Sequence, residues 1–190
     1  MTLDLEYIRI NDIDKKTLEQ IRKWRNLPGI RKNMINDHII SKKEHNEWVE
    51  KVKNSKDTFV WTVYQNDIPI GIVNLKNIDY KNRITDWGLY IAEEECCSKG
   101  LSKNILYNLM SHAFDEMKLR KMYTYVLEDN LIAINLYKKM GFEKEGCLKN
   151  QLIRNGKLID LYSFSIFLEK WKKIKEKLKQ EENLKDFKLK

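Results

Sequence analysis

Trp87-Gly88-Leu89-Tyr90-Ile91, followed after an acidic run by Cys97-Ser98-Lys99-Gly100-Leu101-Ser102, is the stretch from which the fold is best read. The first five residues close a β-prone run over residues 83–91. Beyond Gly100, the residues Leu101, Ile105, Leu109, Ala113 and Met117 recur every four positions, as they do on one face of a helix. A strand, a glycine-bearing loop and a helix are expected in that order. Successive backbone amides at such a turn, with the positive end of a helix behind them, form a nest for an anion such as a pyrophosphate. Gly100 and Ser102 are small where a phosphate would have to approach closely. Neither GxxxxGK[ST] nor GxGxxG is present, which excludes those two nucleotide loops. Taken alone, the stretch is equally an ordinary strand-to-helix connection.

Working outward, residues 121–127 are strongly β-prone, Asp129-Asn130 supplies a helix cap, and Gly141 stands where a left-handed C-cap ends that helix. Asn155-Gly156, between residues 148–154 and 158–168, predicts a hairpin with a primed turn. Upstream, residues 59–64 and 68–75 flank Asn66-Asp67 as another hairpin, with Pro69 tolerable near a strand start. Ser41 and Glu44 make a capping box that opens a helix to about Val52. Asp14 introduces Leu18, Ile21 and Trp24 on an earlier helix ending at Pro28-Gly29, and residues 5–10 alternate as an edge strand. The order is strand, two helices, three strands, helix, strand, helix, two strands. It predicts an α/β (α+β) mixed sheet with helices on its faces.

With 190 residues, one domain with a real core is expected. A hydrophobic share of 42%, with five Trp and nine Tyr, excludes general disorder. No apolar run approaches the ~20 residues that span a bilayer, and the opening MTLDLEYIRINDIDKK lacks the regions of a signal peptide. A cytoplasmic protein without a membrane partner is expected. Cys96, Cys97 and Cys147 are odd in number and two are adjacent, so they read as reduced thiols, neither a disulfide framework nor a metal site. The net charge is +8, of which residues 169–190 contribute +4, from nine Lys against five acids. The mildly basic remainder suits an anionic small molecule better than a nucleic-acid track. Residues 169–190 place Trp171, Ile174 and Leu178 on one side among lysines, and read as an appended amphipathic helix or frayed tail beyond a domain of residues 1–168.

Read beside Glu128-Asp129-Asn130 and the run Ala133-Ile134-Asn135-Leu136-Tyr137-Lys138-Lys139-Met140-Gly141-Phe142, the loop gains meaning. Here the sequence resembles the GNAT family of acetyl-CoA-dependent N-acetyltransferases. The family's pyrophosphate loop, [QR]-x-x-G-x-[GA], is matched by Cys97-x-x-Gly100-x-Ser102, and an N-x-x-A-x-x-L-Y-x-K-x-G-F pattern follows at residues 130–142. The departures at Cys97 and Ser102 fall where phosphate is bound by amides, which need no particular side chain. Trp24-Arg25-Asn26, Ile30-Arg31 and Ser41-x-x-Glu44-His45-x-x-Trp48 resemble more closely the N-acetyltransferases of pseudaminic acid biosynthesis. Those enzymes acetylate the 4-amino group of a UDP-linked 4-amino-4,6-dideoxy sugar.

The resemblance spans roughly residues 3–168 and implies a mostly antiparallel twisted sheet, with strands ending near Ile91 and Glu128 that splay to admit the pantetheine arm. It implies acetyl-CoA as co-substrate, no metal, a nucleotide-sugar partner, and a monomer or homodimer. Leu89, Tyr90, Ile91 and the loop Cys97, Ser98, Lys99, Gly100, Leu101 and Ser102 would hold the coenzyme, with amides around Tyr90 and Ile91 binding the carbonyl oxygen. Asn130, Asn135 and Lys138 are further coenzyme-side candidates; a plain cap and a solvated lysine explain Asn130 and Lys138 equally well. Tyr137 is the candidate acid for the departing thiolate, or else a core tyrosine with a satisfied hydroxyl. Glu128 shares a strand face with Met122, Thr124 and Val126 and is either the base for the amine or a helix-capping carboxylate. Arg25, Arg31 and His45, around the two-helix segment, are candidates for a nucleotide diphosphate, although His45 alone is more often a surface helix residue than a ligand; Lys76 and Tyr90 are further acceptor-side candidates, or else an exposed lysine and a strand tyrosine that need no function. Other functions to be weighed are acetylation of a protein N-terminus or polyamine, and a silent acyl-CoA-binding module.

Overall fold

The computed structural model describes residues 4–92 and 100–189. The chain runs β1 (Leu5–Arg9), α1 (Lys15–Asn26), α2 (Pro28–Arg31), α3 (Lys42–Lys53), β2 (Phe59–Gln65), β3 (Ile68–Asp79) and β4 (Ile84–Ile91). It continues through α4 (Leu101–Ser111), which passes into a π turn at His112–Glu116, then β5 (Lys121–Leu127), α5 (Leu131–Lys139), β6 (Glu143–Arg154), β7 (Lys157–Phe167) and α6 (Leu168–Glu181). The seven strands form one sheet in the order β1-β2-β3-β4-β5-β7-β6. Every neighbouring pair is antiparallel except β4–β5, which is parallel.

Local chemistry accounts for most of these elements. The side chain of Asp14 accepts from the Thr17 amide at 2.7 Å to start α1. The Ser41 capping box is closed in both directions, Glu44 N to Ser41 Oγ at 3.2 Å and Ser41 N to Glu44 Oε2 at 2.8 Å. Both expected two-residue hairpin turns form, with φ of 51° and 64° at Asn66-Asp67 and 48° and 74° at Asn155-Gly156. Gly141, at φ 86°, ends α5 in the left-handed region.

Alternation along the strands divides the core between the two faces. Ile72 and Val60 pack with Ile21, Trp24, Val49 and Val52 beneath α1 and α3. Val73, Leu75 and Trp87 pack with Ile105, Leu109 and Ile134 beneath α4 and α5. A residue's parity on β3 or β4 therefore decides which layer it meets.

Two expectations need correction. Pro28-Gly29 does not simply end a helix: α1 stops at Asn26, and Pro28, which needs no amide partner at a first helical position, opens the short α2. The C-terminal segment forms the expected amphipathic helix, with Trp171, Ile174 and Leu178 on its inner side, but it belongs to the core rather than being appended to it. Trp171 is fully buried, stacks with Phe114, packs at a tilt against Tyr107, and donates its indole N–H to Asp115. Leu178, Leu184 and Leu189 join the same core. The reason lies in α4, whose buried Asn104 and Asn108 bond the backbone of Lys185 and Phe187.

Candidate active site

β4 and β5 pair only at Ile84↔Lys121, Thr85↔Met122 and Asp86↔Tyr123. At the end of that pairing the Thr124 hydroxyl donates to the Trp87 carbonyl at 3.1 Å, and beyond it the strands separate. A cavity of about 510 Å³ occupies the fork. Its walls include both parities of β4, Trp87 and Leu89 together with Gly88 and Tyr90, so it passes through the sheet from the α4–α5 layer to the α1–α3 layer. Two reactants can therefore enter from opposite faces and meet in the fork.

On the α4–α5 side the cavity is lined by Asn130, Ala133 and Tyr137. The Tyr137 ring stands edge-on to Trp87, with centroids 5.1 Å apart, and packs against Phe142 and Phe164. Burial, reinforced by the nearby Asp86 charge and opposed by the Thr124 hydroxyl, pushes the phenol above its ordinary pKa. Tyr137 is thus a protonated donor at neutral pH. Asn130 spends its side-chain oxygen on the Ala133 amide at 3.2 Å as the α5 cap, while Asn135 and Lys138 are exposed on the outer side of α5, away from the cavity.

The expected carbonyl-binding amides are partly reassigned. The Ala92 amide donates to Ile70 and the Trp87 carbonyl receives Thr124, so peptide groups of even-numbered β4 residues face β3 and those of odd-numbered residues face β5. By this alternation the amides of Leu89 and Ile91 point toward the fork, and that of Tyr90 points away.

Gly100 caps α4 at φ 81° with nothing within 4 Å of where a Cβ would lie. The first amides of α4, at Leu101 and Ser102, have no intrahelical partner by helix geometry and suit an anion. The Leu101 side chain itself is core. Cys97, Ser98 and Lys99 lie outside the described residues. Gly100→Asp, a residue type that tolerates the left-handed region, should fold and weaken acetyl-CoA binding on the order of tenfold by repulsion of the pyrophosphate. Calorimetry showing unchanged affinity would place the phosphates elsewhere.

On the α1–α3 side, Arg25, His45, Lys76 and Tyr90 line the cavity. Arg25 donates Nη2 to the Asn36 carbonyl, while its buried Nη1 has no partner. Arg31 does not line the cavity, but its charge, with that of Arg154, reaches Arg25 and adds to the burial that lowers the Arg25 pKa. Lys76 is committed to Asp86, 3.1 Å away. Tyr90 points its hydroxyl at the Ile21 carbonyl, 3.5 Å distant, and burial raises its pKa.

His45 is not the surface residue that its helix suggests, and it lines the cavity with its buried Nε2 unpartnered. It is only 5% exposed, and burial lowers its pKa against the opposing effect of the Leu18 backbone, so the ring is neutral at pH 7. Glu128 does not line the cavity. Its Oε1 accepts the Asp160 amide at 3.1 Å and its own amide donates to the Asp160 carbonyl, so the carboxylate joins the end of β5 to β7. The geometry favours that bracing role over the base. Sequence reasoning missed Asn74, whose carboxamide lies over Gly88, and the residues 33–36 that close the acceptor half. An asparagine facing a strand glycine is the one signal that pointed to the former. Among the described residues no group of three or more His, Cys, Asp or Glu side chains is placed to hold a metal ion.

Comparison with known proteins agrees with this geometry. The acetyltransferase PseH of Campylobacter jejuni is 28% identical over 131 residues, 69% of this chain and 80% of that protein. Spermidine N(1)-acetyltransferase of Vibrio cholerae is 30% identical over 118 residues, 62% of this chain and 67% of that protein. The crystal structure of the V. cholerae spermidine N-acetyltransferase with CoA and spermine superposes with a TM-score of 0.79, covering 89% of this chain and 97% of that one at 24% identity. The model of the acetyltransferase (GNAT) domain matches residues 10–162, and with the forked sheet in agreement the chain belongs to the GNAT family of acetyl-CoA-dependent N-acetyltransferases.

Proposed function

We propose that the acceptor is a UDP-linked 4-amino-4,6-dideoxy sugar, acetylated at its free 4-amine in the cytoplasm. The observation that carries this reading is the unpartnered Arg25 Nη1 in the acceptor half of the cavity, where the charges of Arg31 and Arg154 also reach, opposed by that of Asp37, which is paired with Arg154. Glu44 is the carboxylate on the same wall, and it is taken up by Ser41 and His38. A polyamine, with several positive charges, meets the wrong sign there, although the spermidine acetyltransferases are also relatives. A diphosphate meets a guanidinium suited to bind it. The similarity to PseH supports the same choice.

Acetyl-CoA supplies the thioester. The amine reaches it from the α1–α3 side as a neutral nucleophile, amides on the β5 side of β4 face the developing oxyanion, Tyr137 donates a proton to the sulfur as the C–S bond breaks, and the proton lost by nitrogen passes to water, from which the Tyr137 phenolate is reprotonated. The nucleotide provides the charged handle that a neutral aminosugar lacks. Arg25→Ala should therefore lower kcat/KM for the UDP-sugar by about 10- to 100-fold, as expected for a charge-assisted contact of roughly 1.5–3 kcal/mol, and barely change it for the free aminosugar. Thiol release measured over UDP-aminosugars, the free sugar and spermidine tests both statements. Preference for spermidine over every UDP-aminosugar would overturn the substrate assignment.

A further inference from the structure

Residues 32–40 connect α2 to α3 and supply Asn33, Met34, Ile35, Asn36 and Ile40 to the acceptor half of the cavity. Little of their own backbone pairing holds them: among the described residues, the last such bond along the segment is Met34 N to Arg31 O. Side chains do the holding instead. Asn26 grips Ile40 in both directions, at 2.9 and 2.7 Å, and Arg25 takes the Asn36 carbonyl. Arg22 Nη1 also reaches the Ile40 carbonyl at 3.3 Å, Asn33 donates to the Gly29 carbonyl at 3.0 Å, and His38 meets Glu44 at 2.9 Å. A further anchor, the one that grips residues 32–35 from another part of the fold, comes from the far end of the chain. Arg154, the last residue of β6, donates Nη1 to the Lys32 carbonyl at 2.6 Å and Nη2 to the carbonyls of Met34 and Ile35, with Asp37 3.9 Å from its Nε.

We infer that Arg154 is a positioning residue for the acceptor: its guanidinium straps residues 32–37 to the β6–β7 hairpin and so fixes the wall against which the acceptor is held. The hairpin is shaped for this reach. Pairing of β6 with β7 is interrupted between Leu148 and Leu152, where Asn150 adopts φ 54° and its amide is caught by Asp160 at 2.7 Å. Such an irregularity bends a strand and re-aims its end. The primed turn at Asn155-Gly156 then holds Arg154 opposite Lys157 in a fixed register. The side chain is only 14% exposed, both of its Nη atoms are spent on carbonyls and Asp37 lies at ion-pair distance, which distinguishes it from Arg25, whose Nη1 is unpartnered. Three carbonyls placed around one planar fork call for arginine; a lysine keeps the charge and loses the geometry.

This inference rests on the reading that the acceptor occupies the α1–α3 half of the cavity, and the experiment separates the two. Arg154→Lys and Arg154→Ala are compared with the unaltered chain in amide hydrogen exchange without substrate, in acetyl-CoA calorimetry, and in steady-state kinetics with a UDP-linked 4-amino-4,6-dideoxy sugar and with spermidine. Both variants should exchange faster over residues 33–40 and leave acetyl-CoA affinity unchanged. Both should raise the acceptor KM by about tenfold, the loss of one charged hydrogen-bonding group, with a smaller change in kcat, and added guanidinium ion should restore part of the Arg154→Ala defect. An Arg154→Lys variant indistinguishable from the unaltered chain would mean that Arg154 acts through charge alone and overturns the inference, as would unchanged exchange in both variants. If the unaltered chain acetylates neither amine, the acceptor reading fails while the exchange result still decides the strap.

Discussion

Tyr137→Phe is expected to lower kcat by about 100-fold, within the usual range for loss of a general acid, while acetyl-CoA affinity stays within about twofold because the proton is needed chiefly in the transition state. The substitution removes the phenol and its contact with the Thr124 hydroxyl and leaves the packing in place. Phe retains the ring that packs on Trp87, Phe142 and Phe164, and Thr124 keeps its bond to the Trp87 carbonyl, so the fork should hold its shape. Burial raises the phenol pKa, so the acid form persists well above neutral pH and the basic limb of the kcat profile should lie beyond that of an ordinary tyrosine. That limb should vanish in the variant. Stopped-flow thiol release across pH measures both effects; turnover unchanged at every pH would return Tyr137 to a packing role and leave the sulfur to be protonated by water.

What the sequence revealed about this site follows the range of the interactions involved. The Ser41–Glu44 box, the Asn66-Asp67 and Asn155-Gly156 turns and the Gly141 cap each depend on residues within one turn of chain, and each forms as expected. The parity of Glu128 with Met122, Thr124 and Val126 was also legible. Its partner was not, because the Asp160 amide that holds it comes from β7, thirty-two residues on. His45 sits on a helix whose polar sequence suggests solvent, yet the α1 layer covers it, and its ring is neutral. Arg154 carried no motif at all: its role exists only because a bent hairpin returns to residues 32–37 across about 120 positions of sequence. Asp86 and Lys76 likewise meet across β3 and β4 and nowhere in the linear pattern.

The lysine-rich C-terminal segment gives the second large effect, and the strongest reversal of a compositional reading. Trp171→Ala should cost about 3–5 kcal/mol, the usual range for emptying a buried tryptophan site, out of the 5–15 kcal/mol that a typical domain has in total. The residue is fully buried between Tyr107 and Phe114, and its removal also leaves Asp115 with Lys175 alone, 2.8 Å away. Deleting residues 169–190 should go further and abolish cooperative folding. It strips the cover from α4, where Asn104 and Asn108 would lose Lys185 and Phe187, and from the end of α5, where Gly141 lies so close under Ile174 that even a methyl group would collide. Because α4 carries at its start the amides proposed for the coenzyme, stability and binding are linked. A ligand that binds only the folded chain restores about 2.7 kcal/mol at a hundred times its dissociation constant. Acetyl-CoA should therefore raise the melting temperature of Trp171→Ala markedly without returning it to that of the unaltered protein. Denaturant titration and calorimetric melting with and without acetyl-CoA measure both quantities. A Trp171→Ala chain as stable as the original, or a truncated chain that melts cooperatively, would mean that the segment covers a core complete without it, and the lysines around Trp171 would then describe a solvated helix after all.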